Sequence, residues 1–239
     1  MIIKEERADN VLYLIMSDIG SSHRAMFLPN QDAADFVRTG DDFVIAMSDG
    51  VGSCKNAGEG AKLAVSSAIV AFGLVGNGML AFDCPALIGK VLETWRSSLN
   101  GSSQDDSCAT LKAVYKIGHT IKMISLGDGL LIVSSDGFNI IAPVEDYAFS
   151  NETKCLCSRV MAEDFWTAEF HVDMFKPFTV FLCTDGVSNT IQAGKELEMI
   201  TEIEKGINVR NLKEELTDFM KDISNYSFDD ITLGVVKHE

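Results

Sequence analysis

Four strand ends or turns of this chain finish in aspartate, a hard oxygen ligand suited to divalent cations. They are PNQD at Asp32, MSDG at Asp49, CTDG at Asp185 and FDDIT at Asp229 and Asp230. Two of these corners follow distinctly apolar segments, so their carboxylates are expected at the edge of a core. A single Asp-Gly pair is more often a turn than a site. The four corners together favour a cation site.

Two further Asp-Gly corners fit ordinary hairpin turns. LGDG at 126–129 and SSDG at 134–137 separate short apolar runs, as the turns of β-hairpins do. We therefore interpret Asp136 as a turn residue.

The chemistry open to such a site is hydrolysis of a phosphoryl group. Two oxygen-liganded cations about 3.5 to 4 Å apart can turn water into a hydroxide and clamp a phosphoryl group for in-line attack. Asp49 is the natural bridging ligand between them. Three other kinds of site are disfavoured. GSCKNAGEG at 52–60 lacks the Gly-Lys-Ser/Thr of a nucleotide-binding P-loop, and the GxGxxG of a dinucleotide-binding site is missing after the early strand. The four histidines do not form the HExxH pair of a zinc protease.

The elements that must position these residues are mostly strands. Short segments rich in β-branched and aromatic residues predict strands, and 3.6-residue periodicity predicts four helices. Because the strands and helices do not alternate strictly, we expect an α+β fold with mostly antiparallel sheets. The predicted strands are 11–16, 43–49, 108–116, 120–129, 130–137, 165–172, 178–186 and 231–237, and the predicted helices are 57–75, 85–99, 194–204 and 208–223.

Composition narrows the protein class. The chain has 239 residues, 46% of them apolar, and no marked linker, which predicts one domain over 1–239. Its formal net charge of −15 disfavours nucleic acid and anionic lipid as partners. No apolar stretch is expected to reach the roughly 18 residues that span a bilayer, so a soluble, unsecreted protein is predicted, and the use of cysteine indicates a reducing cytoplasm.

The six cysteines show no CxxC pair and several lie in apolar runs, which indicates reduced thiols that pack as small hydrophobes. Cys183 lies in a predicted strand and is interpreted as structural rather than as a phosphatase nucleophile. CLC at 155–157 has no second pair and is interpreted as not binding a metal.

The order of the motifs resembles a known family. PNQDA, MSDGVG before an Ala-rich helix, DDSCATL, LGDG, FLCTDGV and DDITLGVV follow one another from Gly20 to Val236. GSSH at 20–23 and SNET at 150–153 are weaker matches. Together they resemble the metal-dependent serine/threonine protein phosphatases of type 2C, the PPM family, and in particular its compact bacterial branch.

The resemblance implies a β-sandwich of two mostly antiparallel sheets flanked by helices on both sides (α-β-β-α). It also implies two manganese or magnesium ions, with a third as an option. The implied catalytic residues are Asp32 and Asp49, and the implied metal ligands are Asp49 as a bridge, the carbonyl of Gly50, Asp185, Asp229, Asp32 through a water, and Asp106 (or Asp105) at the third ion. Asp229 is chosen over Asp230 because the family's last motif begins with its ligand.

Three positions depart from the family pattern. Gln31 stands where an acidic residue is usual, which leaves Asp32 alone to hold a water. Arg24 stands farther from Asp32 than the usual phosphate-binding arginine, so His23 or Arg24 is expected to meet phosphate. Val51 and Gly52 replace the histidine of animal members and cannot transfer a proton, so another group must protonate the leaving group.

The expected activity is hydrolysis of phosphoserine and phosphothreonine in proteins by direct attack of a metal-activated water. The expected partners are a phosphoprotein substrate and a Ser/Thr kinase or its targets, with no nucleic acid, no membrane and a monomeric protein. Substrate specificity is assigned to the segment from Pro143 to Asp164. Two competing interpretations are a phosphatase-like binding module without catalysis and a calcium-binding protein; the second lacks the DxDxDG spacing.

Overall fold

The computed structural model describes residues 1–142, 154–173, 175–206 and 208–239, so SNET at 150–153 and the first part of the predicted specificity segment lie outside the described residues. The strands are β1 (Ile2–Ala8), β2 (Val11–Asp18), β3 (Ala33–Thr39), β4 (Asp42–Ser48), β5 (Leu111–Ile117), β6 (Thr120–Leu126), β7 (Leu130–Ser135), β8 (Phe138–Ile141), β9 (Trp166–His171), β10 (Phe178–Cys183) and β11 (Ile231–His238). The helices are α1 (Ser21–Met26), α2 (Ala57–Gly76), α3 (Cys84–Ser98), α4 (Asp185–Ser188), α5 (Glu196–Thr201) and α6 (Leu212–Ile223), with a 3-10 turn at Ala162–Asp164 and a π-helical turn at Glu202–Gly206.

The chain divides into two compact units. The first unit comprises residues 1–30, 129–141 and 172–239, and the second comprises residues 31–128 and 142–171. Each unit contains one sheet, and all the registered strand pairs are antiparallel, which confirms the predicted α+β class. The prediction of one catalytic domain over 1–239 stays a prediction.

The first unit is built on a six-stranded sheet with the order β1-β2-β11-β10-β7-β8. Alternate residues of its inner strands, among them Leu14, Phe181 and Leu233, pack against apolar side chains of α6 such as Leu212 and Leu216. Helix α6 is amphipathic, so this one face supplies most of its stability.

The second unit is built on a five-stranded sheet with the order β3-β4-β5-β6-β9, covered by α2 and α3. Small side chains of α2, such as Ala64, Ala68 and Ala71, recur at helical spacing and are fully buried. Trp95 of α3 is also fully buried, and its indole N–H donates to the carbonyl of Gly60 at 3.1 Å. A Cβ at Gly60 would lie 1.9 Å from the Ser107 carbonyl oxygen, so only glycine fits there.

Helix α2 corrects one expectation from the sequence. Among the described residues it is the helix that is long and apolar enough to cross a membrane, although no apolar stretch of that length was expected. Nearly half of its apolar window is buried within the structure, against the sheet of the second unit and α3. A core helix passes the same test of length and composition, which makes this weak evidence for a membrane span.

Three strands escaped the sequence analysis, and all three are edge strands. β1 and β8 flank the first sheet and β3 flanks the second. Edge strands pair on one side only and carry more polar side chains, so their sequence pattern is weak. The short helices α1 and α4 were also missed, since helices of one or two turns depend on tertiary packing.

The corner at LGDG is not a hairpin turn, contrary to the prediction. β6 belongs to the five-stranded sheet and β7 to the six-stranded sheet, so the corner carries the chain from one sheet to the other. The buried ammonium of Lys112 donates to the carbonyls of Gly127 and Asp128 and holds this corner in place. The corner at Asp136 does join two paired strands, β7 and β8, with Asp136 at a positive φ of 51°, as expected of a turn residue.

Candidate active site

Asp49 follows directly after β4, whose side chains from Phe43 to Ser48 are buried. Its main chain is fixed on both sides by Thr110. The N–H of Asp49 donates to the Thr110 hydroxyl at 2.9 Å, and the N–H of Thr110 donates to the Asp49 carbonyl at 2.8 Å. Thr110 is 4% exposed, so water does not compete for these bonds. The main chain at Asp49 is therefore held by Thr110, the residue that precedes β5.

Gly50 is buried and has no room for a side chain. A Cβ there would lie 2.5 Å from the carbonyl carbon of Ala57, the first residue of α2. Gly50 also forms an isolated bridge with Ala109, and the N–H of Val51 donates to the Cys108 carbonyl at 3.0 Å. The Asp-Gly pair is thus a tightly packed passage from β4 toward α2 rather than a hairpin turn.

Asp32 stands beside Asp49. β3 and β4 pair with Ala33 opposite Ser48, so antiparallel register places residue 32 opposite residue 49, one position beyond the ladder. Asp32 is 8% exposed. The two predicted catalytic carboxylates therefore lie at the same end of the same strand pair.

The structure distinguishes Asp105 from Asp106. The carboxylate of Asp105 accepts hydrogen bonds from the N–H and the hydroxyl of Ser158, both at 2.9 Å, and these bonds hold the pKa of Asp105 below its usual range. Asp106 is exposed, and its carboxylate has no hydrogen bond or ion pair with the described residues. Of this pair, Asp106 is the carboxylate that makes no side-chain hydrogen bond with the described residues, and its role at a third ion stays a prediction.

In the first unit, Asp185 begins the short helix α4. The strand was expected to continue to residue 186, but β10 ends at Cys183. Because Gly186 has no side chain, the main chain of the Asp229–Asp230 motif can pack directly against it; a Cβ at Gly186 would lie 2.1 Å from the carbonyl oxygen of Asp230. Thr184 and Thr232 also exchange hydrogen bonds at 3.0 and 3.1 Å. Asp185 and the Asp229–Asp230 pair are thus brought to the same corner of this unit.

Asp229 and Asp230 have opposite environments. Asp230 is 4% exposed, and its carboxylate accepts the N–H of Gly20 at 2.7 Å and contacts Nδ1 of His23 at 2.8 Å. Asp229 is exposed, and its carboxylate makes no hydrogen bond or ion pair with the described residues. Asp230 therefore holds the start of α1, whereas the carboxylate of Asp229 is exposed and accessible to a cation.

The two predicted phosphate-binding residues lie on α1 and are paired with carboxylates. His23 contacts Asp230, and the guanidinium of Arg24 donates to Asp18 at 2.8 Å. The Arg24 side chain is 45% exposed, so part of its fork of donors faces solvent. Their role with phosphate stays a prediction.

The donor set fits a hard divalent cation, since it consists of carboxylates and one main-chain carbonyl. In the part of the chain that the structure describes, no three His, Cys, Asp or Glu side chains are placed to share a metal. Asp32, Asp49, Gly50 and Asp106 belong to the second unit, and His23, Arg24, Asp185 and Asp229 to the first.

Sequence reasoning included Thr110, Gly186 and Asp230 in its motifs but missed their role in positioning the carboxylates. Thr110, Gly186 and Asp230 act through contacts with residues more than 40 positions away, and no local pattern marks them. Gly186 follows an aspartate, so it was identified only as half of an Asp-Gly pair.

Comparison with known proteins places the chain among phosphatases. A sequence model of the family described as protein phosphatase 2C matches residues 19–221. A search of curated proteins found no match. Solved structures with the same fold include RsbX in complex with magnesium, with 15% identity, full coverage of both chains and a TM-score of 0.67.

Two further structures share the fold. The catalytic domain of the serine threonine protein phosphatase PstP with two manganese ions is 16% identical, with 96% of this chain and 99% of that chain covered and a TM-score of 0.65. Serine/threonine phosphatase Stp1 from Staphylococcus aureus is 12% identical, with 100% and 96% covered and a TM-score of 0.65. With a family match over most of its length, the chain belongs to the protein phosphatase 2C family.

Proposed function

We propose that this member of the family hydrolyses phosphoserine and phosphothreonine in proteins with the help of manganese or magnesium. The observation that carries the proposal is the corner at Asp49. There a family motif coincides with three features: the main chain of Asp49 is held by Thr110, the main chain at Gly50 is packed too closely for any other residue, and Asp32 supplies a second carboxylate.

Carboxylates and one carbonyl would hold the cations. When bound, divalent cations polarise phosphoryl oxygens and make a water acidic enough to supply hydroxide near neutral pH. The residues proposed to hold them are Asp49 and the carbonyl of Gly50, Asp185, Asp229, Asp32 through a water, and Asp106 for a third ion.

The protein's own contribution is orientation. Thr110 fixes the Asp49 main chain, so the carboxylate need not be ordered when substrate arrives. The Asp32 carboxylate, next to Asp49, is placed to accept a hydrogen bond from an attacking water and so orient it. Val51 and Gly52 offer no proton, so the leaving oxygen must be protonated by another group.

Phosphate recognition is proposed for α1. Arg24 carries its charge on a half-exposed side chain, and a guanidinium suits bidentate contact with phosphate oxygens. Its bond to Asp18 would hold the side chain in place when phosphate is absent. His23 is proposed as the second contact.

A phosphatase-like binding module without catalysis is not favoured, because the carboxylates that the resemblance assigns as metal ligands are present, although Gln31 replaces one acidic residue that is usual in the family. Cytoplasmic location, a monomeric state and phosphoprotein partners, including a Ser/Thr kinase or its targets, are further parts of the proposal. The net charge of −15 supports the exclusion of nucleic acid.

The test is hydrolysis of an aryl phosphate and of a phosphothreonine peptide by the purified protein with EDTA, Mg²⁺ or Mn²⁺. We expect turnover with a divalent cation, and a loss on the order of 10³-fold in Asp49→Asn and in Asp185→Asn, because even outer partners of metal ligands usually matter by about 10- to 100-fold.

Asp136→Asn is the matched control, since Asp136 also precedes a glycine but lies in the β7–β8 turn, where asparagine accepts a positive φ. Its turnover should equal that of the wild type. EDTA should remove activity while the fold persists, whereas unfolding would favour the calcium-binding interpretation. Near-normal turnover in both Asp49→Asn and Asp185→Asn would refute the proposed site.

A further inference from the structure

The leaving oxygen of the proposed substrate still lacks a proton donor, because Val51 and Gly52 have no proton to offer. Histidine is the side chain best suited to this task, since it can hold and give up a proton near neutral pH. All four histidines lie in the part of the chain that the structure describes. Of these, His23 is the one in contact with the FDDIT motif at 228–232.

Main-chain contacts fasten the start of α1 to this motif within the first unit. A Cβ at Gly20 would lie 2.4 Å from the carbonyl carbon of Asp229, so only glycine lets the two main chains come this close. The N–H of Ser22 donates to the Phe228 carbonyl at 3.1 Å. His23, the next residue, therefore lies at the same corner as the proposed ligand Asp229.

Asp230 fixes the ring of His23. One oxygen of its carboxylate contacts Nδ1 of His23 at 2.8 Å, and the other accepts the N–H of Gly20 at 2.7 Å. The Asp230 side chain is 3% exposed, so water does not compete for these contacts. A carboxylate beside Nδ1 keeps a proton on that nitrogen and stabilises the positive charge of an imidazolium.

The second ring nitrogen, Nε2, is the one that remains for chemistry. It makes no hydrogen bond or ion pair with the described residues, and the His23 side chain is 17% exposed. Other groups of α1 cannot take its place. The guanidinium of Arg24 stays protonated and is bonded to Asp18, and the hydroxyls of Ser21 and Ser22 donate to main-chain carbonyls.

We propose that His23 is the general acid that protonates the leaving oxygen, and that Asp230 positions its ring. A water oxygen bonds to phosphorus and gives one proton to the surrounding water, while the bond from phosphorus to the serine or threonine oxygen breaks and leaves its electron pair on that oxygen. Nε2 gives its proton to the same oxygen, which departs as a neutral alcohol, and the imidazole takes a proton back from solvent. One water is consumed for each alcohol and phosphate formed. This inference rests on the proposed function.

Two aryl phosphates with different leaving groups test the proton transfer in the presence of manganese. Phenolate is a strong base that needs a proton as it departs, whereas dinitrophenolate departs as an anion. General acid catalysis contributes about 10²- to 10⁴-fold, so His23→Gln should lower kcat/KM for phenyl phosphate by about 100-fold or more. For dinitrophenyl phosphate the loss should stay within about 10-fold, because this ester needs no acid. The second ester also reports on folding, since an unfolded variant hydrolyses neither.

Arg24→Gln and His171→Gln are matched controls. Arg24 lies next to His23 on α1 and is proposed to bind phosphate, which both esters share, so its loss should lower kcat/KM for the two equally. His171 is a 73% exposed histidine of β9, and its variant should hydrolyse both esters as the wild type does. Asp230→Asn should repeat the pattern of His23→Gln, because the asparagine amide donates to Nδ1 and so displaces the proton that the carboxylate holds there.

A second readout needs neither metal nor substrate. In the metal-free protein with ¹⁵N-labelled histidine, at a pH where the ring is neutral, nuclear magnetic resonance should show the proton of His23 on Nδ1, because this nitrogen faces Asp230. In Asp230→Asn the proton should move to Nε2. A wild-type ring that carries its proton on Nε2 would overturn the inference.

The two esters also separate this inference from the proposed function. If His23→Gln lowers kcat/KM for both esters equally, His23 is a phosphate contact only, and if it lowers neither, His23 is a structural residue of α1. Either result overturns the inference while the proposed function stands. If the wild type hydrolyses neither ester with manganese or magnesium, the proposed function fails and the inference fails with it.

Discussion

Substitutions of the neighbouring residues Asp229 and Asp230 are expected to affect different properties, turnover in the first case and stability in the second. Asp229→Asn should abolish turnover and leave stability unchanged, because its carboxylate is exposed and makes no hydrogen bond or ion pair with the described residues. Asp230→Ala should lower stability, because Asp230 is buried and accepts the Gly20 N–H.

The size of the Asp230 effect follows from its contacts. Alanine would leave the buried N–H of Gly20 without its acceptor and remove the contact with His23. A buried donor left unsatisfied costs about 1–3 kcal/mol, and with the second contact the loss is about 2–3 kcal/mol. At about 2–4 °C per kcal/mol for a chain of this size, the Tm should fall by roughly 5–10 °C.

Asp230→Asn is the matched control for Asp230→Ala. The asparagine carbonyl can still accept from Gly20, and its amide can donate to Nδ1 of a neutral His23. The change in stability should therefore be below about 1 kcal/mol. Asp229→Asn, as a surface substitution, should change stability by no more than about 0.5 kcal/mol.

The assays are thermal unfolding and hydrolysis of a phosphothreonine peptide with manganese, carried out on all three variants. If Asp230→Asn loses turnover with an unchanged Tm while Asp229→Asn keeps it, the ligand assignment is off by one residue. If Asp230→Ala unfolds at the wild-type temperature, the buried hydrogen bond to Gly20 does not stabilise the protein as argued.

Two further predictions concern positioning and packing. Thr110→Val should lower turnover by about 10- to 100-fold, because the Asp49 N–H loses its acceptor and the loss of an outer partner of a metal ligand has effects of this size. Thr110→Ser keeps the hydroxyl and should have nearly normal turnover. Equal turnover in both variants would contradict the role of Thr110. Gly60→Ala should destabilise the protein by more than about 3 kcal/mol, since its Cβ would meet the Ser107 carbonyl at 1.9 Å. Gly73→Ala, on the same helix with nothing within 4 Å, should instead stabilise by about 0.5–1 kcal/mol, and urea unfolding of the two variants compares them.

Local pattern was sufficient for the inner strands and the longer helices. Residues 57–75 and 85–99 were predicted as helices, and α2 and α3 span Ala57–Gly76 and Cys84–Ser98. The spacing of their apolar residues marks the face that each helix buries, so it can be recognised from a short stretch of sequence alone. The edge strands β1, β3 and β8 carry a weaker pattern because only one side of each is paired.

The sequence by itself determined the fold class, the family and the order of the acidic motifs, since these depend on periodicity and on the spacing of short motifs. Tertiary structure decided which carboxylate of each acidic pair is already hydrogen-bonded within the protein. Ser158 bonds to the carboxylate of Asp105, and Gly20 and His23 contact that of Asp230. It also decided that β6 and β7 belong to different sheets. The physical reason is the same in each case, because these features are contacts between segments far apart in the chain, and no local propensity encodes which distant groups will be hydrogen-bonded.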